Sequence, residues 1–554
     1  MTACSALPGS VHAWNLLPLS IPALLFASAE RFAGRAAIEE DGIVTDYRDL
    51  PGLALGVCRS LMALGIEAGD RVAIWAPNCR DWVIAALGVH CAGAVLVPIN
   101  TRMKGAEAAD ILARSQARVL LTQGVFLGLD YPAMLAPLRP TSLEQLVVFG
   151  TQPPQLASDL DWAGFLARGE SVSELQARQR AVAVGPRDLS DLLFTSGTTG
   201  KPKGVMSAHG QNLRAYNEYV RVIGLQPGDR YLIINPFFHA FGYKAGWLTC
   251  LLAGATILPH AVFDAEAVFQ RIAAERISVL PGPPTLYLSM LAHPHLAQTD
   301  LSSLRIAVTG SSTIPPVLIE RMRRELGVDV VTTAYGLTEC GGLATICNPD
   351  DPADIVAGTS GRAIEGTEVC IRSADNQPVA TGVSGEICLR GFHVMRGYFN
   401  DPQATAQAID AEGWLHTGDI GNLDVHGNLQ ITDRLKDMFI VGGFNCYPAE
   451  IEAGLIQHPA IAQVAVIGVA DERMGEVGCA CVVLRAGQQL DEPSLIAWAR
   501  ERMANYKVPR QVRFFESLPV NASNKVVKPE LRQAVLQAEG GPRDEALIEQ
   551  PRKV

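Results

Sequence analysis

The sequence predicts an α/β protein with a large N-terminal domain of parallel sheets covered by helices plus a small β region, followed by a smaller α+β C-terminal domain. Three observations lead to this class. Strands and helices alternate along the first 332 residues, and short strands between glycine turns replace this pattern after about residue 365. In addition, 554 residues are too many for one compact core, because a domain usually has ~100–200 residues.

The alternation in the N-terminal part follows one pattern. The apolar run Arg71–Trp75 is followed by a helical segment, Asp81–Ala92, and by a second strand, Ala94–Pro98. Strands that alternate with helices in this way are typical of a parallel sheet with helices on its faces. The pattern returns twice, with elements predicted at Tyr231–Asn235, Gly242–Leu252, Ala255–Leu258, Leu304–Thr309, a helix from Pro315 onward, and Val328–Thr332.

The C-terminal part has a different pattern. Val369–Arg372 and Glu386–Arg390 are short strands next to glycine turns, which favours a small antiparallel β region. Beyond Asp433 the sequence predicts a separate α+β domain. Its elements are two strands and an amphipathic helix, at Val464–Val469, Cys479–Leu484 and Glu492–Ala504.

Charge and composition exclude several classes of protein. Lys and Arg number 46 and Asp and Glu 57, so the net charge of −11 argues against nucleic-acid binding. The apolar run Leu16–Ala27 contains two prolines and is shorter than the ~20 residues of a membrane helix. No basic segment precedes it, so no signal peptide is expected. The 12 cysteines include no CxxC pair, so we expect reduced thiols in a cytoplasmic protein.

The stretch LLFTSGTTGKPKG, Leu192–Gly204, carries the strongest chemical signal. An apolar strand leads into glycines, hydroxyls and lysines, which together can surround phosphate groups. It is not a Walker A loop, because Pro202 stands where that loop has a magnesium-binding Ser or Thr, and Thr195 replaces its first glycine. A P-loop kinase is therefore excluded, while a flexible Ser/Gly turn is the structural alternative.

The full run resembles the phosphate-loop signature of the adenylate-forming superfamily, which includes acyl- and aryl-CoA synthetases, luciferases and peptide-synthetase adenylation domains. The superfamily's other motifs follow in order: FFHAFG (237–242), YGLTE (335–339), GWLHTGD (413–419), DRLKD (433–437), GGFNCYPAEIE (442–452) and NASNKVVKPELR (521–532). The resemblance covers nearly the whole chain. It implies an acid–CoA ligase that uses ATP and Mg²⁺ to form acyl-AMP and pyrophosphate, and then transfers the acyl group to CoA.

The resemblance also implies domain boundaries and catalytic roles. Residues 1–433 form the large domain, 434–438 a hinge at Lys436, and 439–554 a small, mobile domain. Lys525 acts as the catalytic ammonium between the carboxylate and the α-phosphate, although Asn524 replaces the glycine that usually precedes it. His239 lies where acyl chain and phosphates meet, Thr338 binds the α-phosphate, and Thr195 and Glu339 hold Mg²⁺.

The other binding residues are carried over in the same way. Tyr335 lies against adenine, Asp419 and Arg434 bind the ribose, and Gly443 lets pantetheine pass. The remaining nucleotide-binding residues are Ser196, Gly197, Thr198, Thr199, Gly200, Lys201, Lys203, Gly310 and Gly336. Without the motif context, each of these residues has a structural alternative, such as a turn aspartate or a core histidine.

The acid itself is less well defined. The expected pocket residues are Phe238, Tyr243, Lys244, Gly246, Ser311 and Gly341. The stretch NPFFHAFGYKAGW resembles CoA ligases that act on a propanoate attached to two steroid-derived rings, and Lys244 could donate to a ring ketone. Its structural alternative is a lysine whose head group reaches solvent.

Several alternatives stay open. One is a medium- or long-chain fatty-acid CoA ligase, and another is an acyl-AMP ligase that does not use CoA. A non-catalytic nucleotide-binding protein is disfavoured by the joint presence of Glu339, Asp419, Arg434 and Lys525. The expected partners are a small carboxylic acid, ATP and CoA, with no nucleic acid and no integral membrane segment. A homodimer is one candidate assembly.

Overall fold

A computed structural model describes most of the chain, in two compact units. The described residues are 4–5, 20–150, 159–195, 202–310, 314, 316–434, 437–441, 444–446, 448–471, 474–503, 505–520 and 526–539. The first unit comprises Met1–Val383, Ile387–Thr417 and Leu423–Gln430, and the second comprises Ser384–Glu386, Gly418–Asn422 and Ile431–Val554. The predicted boundaries, with a hinge at 434–438, stay a prediction.

The elements of the first part of the chain are as follows. The strands are β1 Cys4–Ser5, β2 Ala36–Glu40, β3 Ile43–Asp46, β4 Arg71–Trp75, β5 Val95–Pro98, β6 Val119–Thr122, β7 Val125–Phe126, β8 Leu129–Asp130, β9 Gln145–Val148, β10 Leu160–Asp161, β11 Leu189–Thr195 and β12 Lys203–Ala208. The helices are α1 Ile21–Arg31, α2 Leu50–Ala63, α3 Arg80–Cys91, α4 Gly105–Ser115, α5 Tyr131–Leu135, α6 Trp162–Arg168, α7 Glu174–Ala183 and α8 His209–Ile223.

The middle of the chain continues the alternation. Its strands are β13 Arg230–Ile233, β14 Thr256–Pro259, β15 Ile306–Thr309, β16 Val330–Tyr335, β17 Thr345–Ile346, β18 Arg362–Ala363, β19 Thr367–Arg372, β20 Gly385–Gly391, β21 Leu415–Leu423 and β22 Leu429–Arg434. Its helices are α9 Ala240–Gly242, α10 Thr249–Ala253, α11 Ala265–Glu275, α12 Pro284–Leu291, α13 Pro316–Glu325, α14 Ala353–Gly358 and α15 Pro402–Ala408, with a π-helical turn, Tyr243–Leu248, between α9 and α10.

The first unit contains two mainly parallel sheets, as the sequence predicts. One has the strand order β10-β9-β6-β4-β5-β11-β12, and within it only the β11–β12 pair is antiparallel. In the other, β2, β14 and β13 are parallel neighbours, and Val279 bridges β13 to the parallel pair β15–β16. The predicted strand at Arg71–Trp75 is confirmed residue for residue.

Helix α3 lies at the centre of the main core of this unit. Every residue from Trp82 to Cys91 is buried, which is expected for a helix that is apolar on all sides. It packs closely against α2, where a Cβ atom on Gly88 would lie only 2.4 Å from Val57. The same core contains Phe237, Tyr243 and Trp247, which follow β13.

The second unit contains a mainly antiparallel sheet with helices on both faces. Its strands are β23 Phe439–Val441, β24 Phe444–Cys446, β25 Ile461–Asp471, β26 Gly475–Leu484 and β27 Gln511–Phe514, and its helices are α16 Pro448–Leu455, α17 Glu492–Arg500 and α18 Lys528–Glu539. The order is β24-β23-β26-β25, and β27 pairs in parallel with β26. Leu495 of α17 and Leu531 of α18 belong to separate apolar clusters. Among the described residues, no helix is long and apolar enough to cross a membrane.

Candidate active site

The predicted phosphate loop connects β11 and β12, which form the phosphate-loop hairpin (Leu189–Ala208). Its antiparallel pairing includes Thr195 opposite Lys203 and Phe194 opposite Gly204. A Cβ atom on Gly204 would lie 3.0 Å from the ring of Phe194, so glycine permits this close packing. The turn itself lies outside the described residues, together with the predicted site residues Ser196, Gly197, Thr198, Thr199, Gly200 and Lys201.

A later segment of the chain lies along β12. The backbone N–H of Met206 donates to the Gly397 carbonyl (3.0 Å), and that of Phe399 donates to the Gly204 carbonyl (2.7 Å). Tyr398 lies between these contacts, and the Lys203 ammonium is 5.0 Å from the centre of its ring. The hairpin is thereby joined to residues almost 200 positions away in sequence.

Glu339 is the point where three parts of the first unit meet. Its Oε1 accepts a hydrogen bond from the Tyr398 hydroxyl (2.9 Å) and a longer one from Thr195 Oγ1 (3.5 Å). Burial, and then the neighbouring carboxylate, raise the pKa of Tyr398, so its hydroxyl stays protonated and donates. The structure brings together the two predicted metal ligands, Thr195 and Glu339, and their role as ligands stays a prediction.

Local geometry explains how Glu339 is presented. Strand β16 ends at Tyr335, which is 8% exposed, and a 3-10 turn, Thr338–Cys340, follows. Between them, a Cβ atom on Gly336 would lie 2.4 Å from the backbone of Gly342, so a side chain at this position would displace the chain. Gly341 ends the turn with a φ of +71°, a conformation that glycine adopts readily.

The segment after β13, Phe237–Ala253, contains the predicted site residue His239 and is called the His239 segment. His239 is exposed, and its Nδ1 accepts a hydrogen bond from the backbone N–H of Phe241 (3.2 Å), so that it caps α9. Phe238 is half-buried beside it. The sequence predicts one helix at Gly242–Leu252, but the structure has the shorter α9, the π-helical turn and α10, because Gly246 adopts φ −93° and ψ −105°.

Three of the predicted pocket residues in this segment are buried in the core. The Tyr243 hydroxyl lies 3.0 Å from His90 Nε2, and its ring stacks on Trp247 at 4.8 Å. Lys244 is 0% exposed and forms an ion pair with Asp191. Gly246 is buried as well, and a Cβ atom on it would lie 3.2 Å from Ile233. The alternative interpretation of Lys244 as a lysine with its head group in solvent is therefore wrong, and substrate contact by these residues stays a prediction.

The remaining predicted residues are distributed over both units. In the first unit, Gly310 follows β15, and a Cβ atom on it would lie 3.3 Å from the Ala334 carbonyl. In the second, Asp419 lies in β21 and is 5% exposed. Arg434 ends β22, and its side chain is outside the described part. The predicted residues Ser311, Lys436, Gly443 and Lys525 also lie outside the described residues.

Tyr398 is the residue of this site that sequence analysis misses. It is separated from Glu339 by 59 positions and belongs to none of the motifs used above. A tyrosine after a glycine is a weak signal by itself. Its contact depends on the pairing of its segment with β12, which periodicity does not reveal.

Comparison with known proteins identifies the family. The profile of the AMP-binding enzyme family matches residues 25–399, and that of the AMP-binding enzyme C-terminal domain matches residues 450–525. A 3-((3aS,4S,7aS)-7a-methyl-1,5-dioxo-octahydro-1H-inden-4-yl)propanoyl:CoA ligase of Mycobacterium tuberculosis is 52% identical, over 90% of this chain and 95% of that protein. The ligase of the same name from Rhodococcus jostii is 48% identical, over 93% and 99%.

A solved structure agrees with these relatives. The anthranilate CoA ligase AuaEII in complex with anthranoyl-AMP matches with a TM-score of 0.83 at 28% identity, over 95% of this chain and 100% of that chain. The fold and the motifs define an adenylate-forming α/β enzyme, and the chain belongs to the AMP-binding enzyme family. Within this family it is an AMP-forming acid–CoA ligase, an acyl-CoA synthetase.

Proposed function

We propose that the acid is a propanoate carried by a fused, methyl-bearing bicyclic diketone, the acyl group named for the two bacterial ligases. The observation that carries this proposal is identity of 52% and 48% to those enzymes over at least nine-tenths of the chain. The predicted pocket residues are spread from Phe238 to Gly341, so the similarity has to extend over a long stretch of the chain to include them all. Similarity over that full length therefore supports a similar acid more strongly than any one motif does.

The reaction joins a carboxylate oxygen of the acid to the α-phosphorus of ATP and releases pyrophosphate. Both reactants are anions, so the protein must hold them together and stabilise the charge that develops on the α-phosphate. We assign this role to the phosphate-loop hairpin, Thr338 and Lys525. Tyr335 lies against adenine in this proposal, and Asp419 and Arg434 bind the ribose.

Mg²⁺ fits the oxygen atoms that meet at Glu339. The Glu339 carboxylate and the Thr195 hydroxyl are hard oxygen ligands, and they lie 3.5 Å apart. We propose that these two residues hold the ion, while Tyr398 orients the carboxylate by donating to Oε1. When bound, Mg²⁺ supplies positive charge to the phosphate oxygens of ATP.

The second step is attack of the CoA thiol on the acyl-AMP. We propose that Gly443 lets pantetheine pass and that rotation at Lys436 exchanges Lys525 for the Gly443 face between the two steps. Lys436→Pro would fix φ near about −65° and should slow thioester formation more than adenylation. Lys525→Ala should slow adenylation by ~10²–10³ and slow the reaction of supplied acyl-AMP much less.

The deciding experiment measures kcat/KM of the purified protein for a panel of acids, with ATP, MgCl₂ and CoA. The panel contains the bicyclic diketone propanoate, the same ring propanoate without its two carbonyl groups, and straight-chain fatty acids of medium to long chain. We expect AMP and pyrophosphate as products and the highest kcat/KM for the diketone. A steady rise with fatty-acid chain length, near 0.8 kcal/mol per CH₂, would support the fatty-acid alternative instead.

The acyl acceptor, the cellular location and the assembly are also part of the proposal. With CoA as the acceptor we expect a thioester product, whereas AMP release without thioester formation would identify an acyl-AMP ligase that does not use CoA. A cytoplasmic location is also proposed, because the 12 cysteines include no CxxC pair and no disulfide framework is expected. The homodimer is tested by light scattering after size-exclusion chromatography.

A further inference from the structure

A buried ion pair joins the phosphate-loop hairpin to the His239 segment. The Lys244 ammonium is 3.1 Å from Asp191 Oδ1, and both side chains are 0% exposed. A buried charge of this kind is stable only when it has a close partner of opposite sign and further hydrogen bonds. The pair therefore constrains the chain segments that carry it.

The partners of the pair come from three different elements. Asp191 Oδ2 accepts hydrogen bonds from Ser190 Oγ (2.7 Å) and from Asn212 Nδ2 of α8 (2.8 Å). Lys244 also donates to Ser207 Oγ of β12 (3.1 Å). Among the described residues, Oδ1 of Asp191 faces the ammonium of Lys244 alone.

Asp191, Ser207 and Lys244 each lie four or five positions from a predicted site residue. Asp191 precedes Thr195 by four residues in β11, and Ser207 follows Lys203 by four residues in β12. Lys244 follows His239 by five residues and lies in the π-helical turn. One ammonium thus contacts both strands of the phosphate-loop hairpin and belongs to the segment that presents His239.

The irregular backbone of the π-helical turn is the reason why this contact matters. Such turns are rare, and Gly246 departs from helical geometry inside this one. An apolar pair would fill the same space, but it would not fix direction, whereas an ion pair with three hydrogen-bonded partners holds the turn at one distance from the hairpin. A shift of about 1 Å between reacting groups can cost ~10²-fold in rate.

We propose that Lys244 is a positioning residue for acyl-adenylate formation, which fixes the His239 segment relative to both strands of the phosphate-loop hairpin through Asp191 and Ser207. The inference rests on the reaction class of the enzyme and not on the proposed bicyclic acid. In this proposal the Lys244 ammonium holds segments of the protein in place and does not bind the substrate. A direct contact with a ring ketone would require the ion pair to open.

The test removes both charges together in Lys244→Met/Asp191→Asn, so that no unpaired charge is left in the core. The control is Arg305→Met/Asp229→Asn, an ion pair outside the site whose aspartate is buried and whose arginine is 26% exposed. In this ion pair, Arg305 Nε is 2.9 Å from Asp229 Oδ1. The two residues directly precede β15 and β13, so they lie at the N-terminal ends of these strands, whereas His239 follows the C-terminal end of β13. The acid is whichever member of the panel wild-type enzyme adenylates best, so rejection of the bicyclic acid would end only the substrate proposal.

We expect the adenylation kcat per folded molecule, measured by pyrophosphate exchange, to fall about tenfold or more in the Lys244/Asp191 variant, while the KM for ATP stays within about threefold. The control should keep its kcat within about twofold. Wild-type kcat in the Lys244/Asp191 variant would overturn the proposal. A rise confined to the KM of ketone-bearing acids would also overturn it, because Lys244 would then contact the substrate.

A milder variant decides the question if the double variant does not fold. Ser207→Ala leaves the ion pair in place and removes one contact between Lys244 and β12. It should fold and lower the adenylation kcat by about threefold, with the KM for ATP within about twofold of wild type. An unchanged kcat in Ser207→Ala would contradict the proposal.

Discussion

The phosphate-loop hairpin and the His239 segment both carry polar side chains from recognisable motifs, but their surroundings differ. At the hairpin, Thr195, Glu339 and Tyr398 are half-buried, and their oxygen atoms meet at one carboxylate. In the His239 segment, Tyr243 and Lys244 have no exposed surface, and their polar atoms face other side chains of the core. The two regions thus differ: the oxygen atoms at the hairpin belong to half-buried side chains, whereas the polar groups of Tyr243 and Lys244 belong to the core.

This difference has an energetic consequence. Half-buried oxygen atoms can exchange protein contacts for the contacts with ATP and Mg²⁺ that we propose, so their replacement should change the reaction more than the fold. Fully buried polar atoms have already exchanged water for protein partners, so their replacement leaves an unsatisfied group and should reduce stability. Substitutions in the two regions therefore test the comparison directly.

The largest effect is expected for Glu339→Gln. The amide keeps the size of the side chain but removes the negative charge that we propose for Mg²⁺. The adenylation kcat/KM should fall by ~10²–10³, the order seen when one charge-stabilising group at a reaction centre is lost. Part of this loss should be recovered at high MgCl₂, while the thermal unfolding temperature should change little. A loss of stability without a changed Mg²⁺ dependence would mean that Glu339 supports the fold and does not hold Mg²⁺.

Tyr398→Phe should have the next largest effect. It removes the hydroxyl that donates to Glu339 Oε1 at 2.9 Å, and a hydrogen bond to a charged group contributes about 1.5–3 kcal/mol. We expect about a tenfold rise in the Mg²⁺ concentration that gives half-maximal rate, with a smaller change in kcat. Phe399→Leu serves as a control at the neighbouring position. Equal Mg²⁺ dependence in wild type and Tyr398→Phe would mean that this hydroxyl has no effect on Mg²⁺ binding.

Sequence patterns predict regular strands of the first unit better than they predict the His239 segment. The strand Arg71–Trp75 is found as predicted, because a short apolar run between turns has few other options. The helix predicted after His239 is broken at Gly246, whose ψ of −105° is a backbone conformation that periodicity does not predict. The contact of Tyr398 with Glu339 and that of Lys244 with Asp191 join distant parts of the chain, which residue patterns do not reveal.

A pH effect should come from the core beside the His239 segment. Burial lowers the pKa of His90 to about 3, aided by the charge of Lys244, and burial likewise lowers that of His209 to about 3. The unfolded chain binds protons on these side chains below pH ~6.5, whereas the folded protein does not. Stability should therefore be complete above pH ~6.5 and fall toward pH ~3, by about 1.4 kcal/mol per pH unit for each histidine.

Urea unfolding measures this effect when it is followed from about pH 5 to about pH 7, a range that includes the ordinary histidine pKa. His90→Gln should lose the contribution of one histidine, so its free energy of unfolding should depend less steeply on pH than that of wild type. His426→Gln is the control, because His426 lies on an exposed turn after β21. An identical pH dependence in His90→Gln and wild type would contradict the burial argument.

The smallest effect is expected for Tyr243→Phe, at the centre of the His239 segment. The substitution removes the hydroxyl 3.0 Å from His90 Nε2 but keeps the ring that stacks on Trp247. Because both partners are buried, an imidazole nitrogen is left without its hydrogen bond, at a cost of about 1–2 kcal/mol in the free energy of unfolding. The change in kcat/KM for the acid should be smaller than this in energy. If the loss in kcat/KM, expressed as a free energy, instead exceeds the loss in the free energy of unfolding, Tyr243 contacts the acid. Its role would then not be confined to supporting the core.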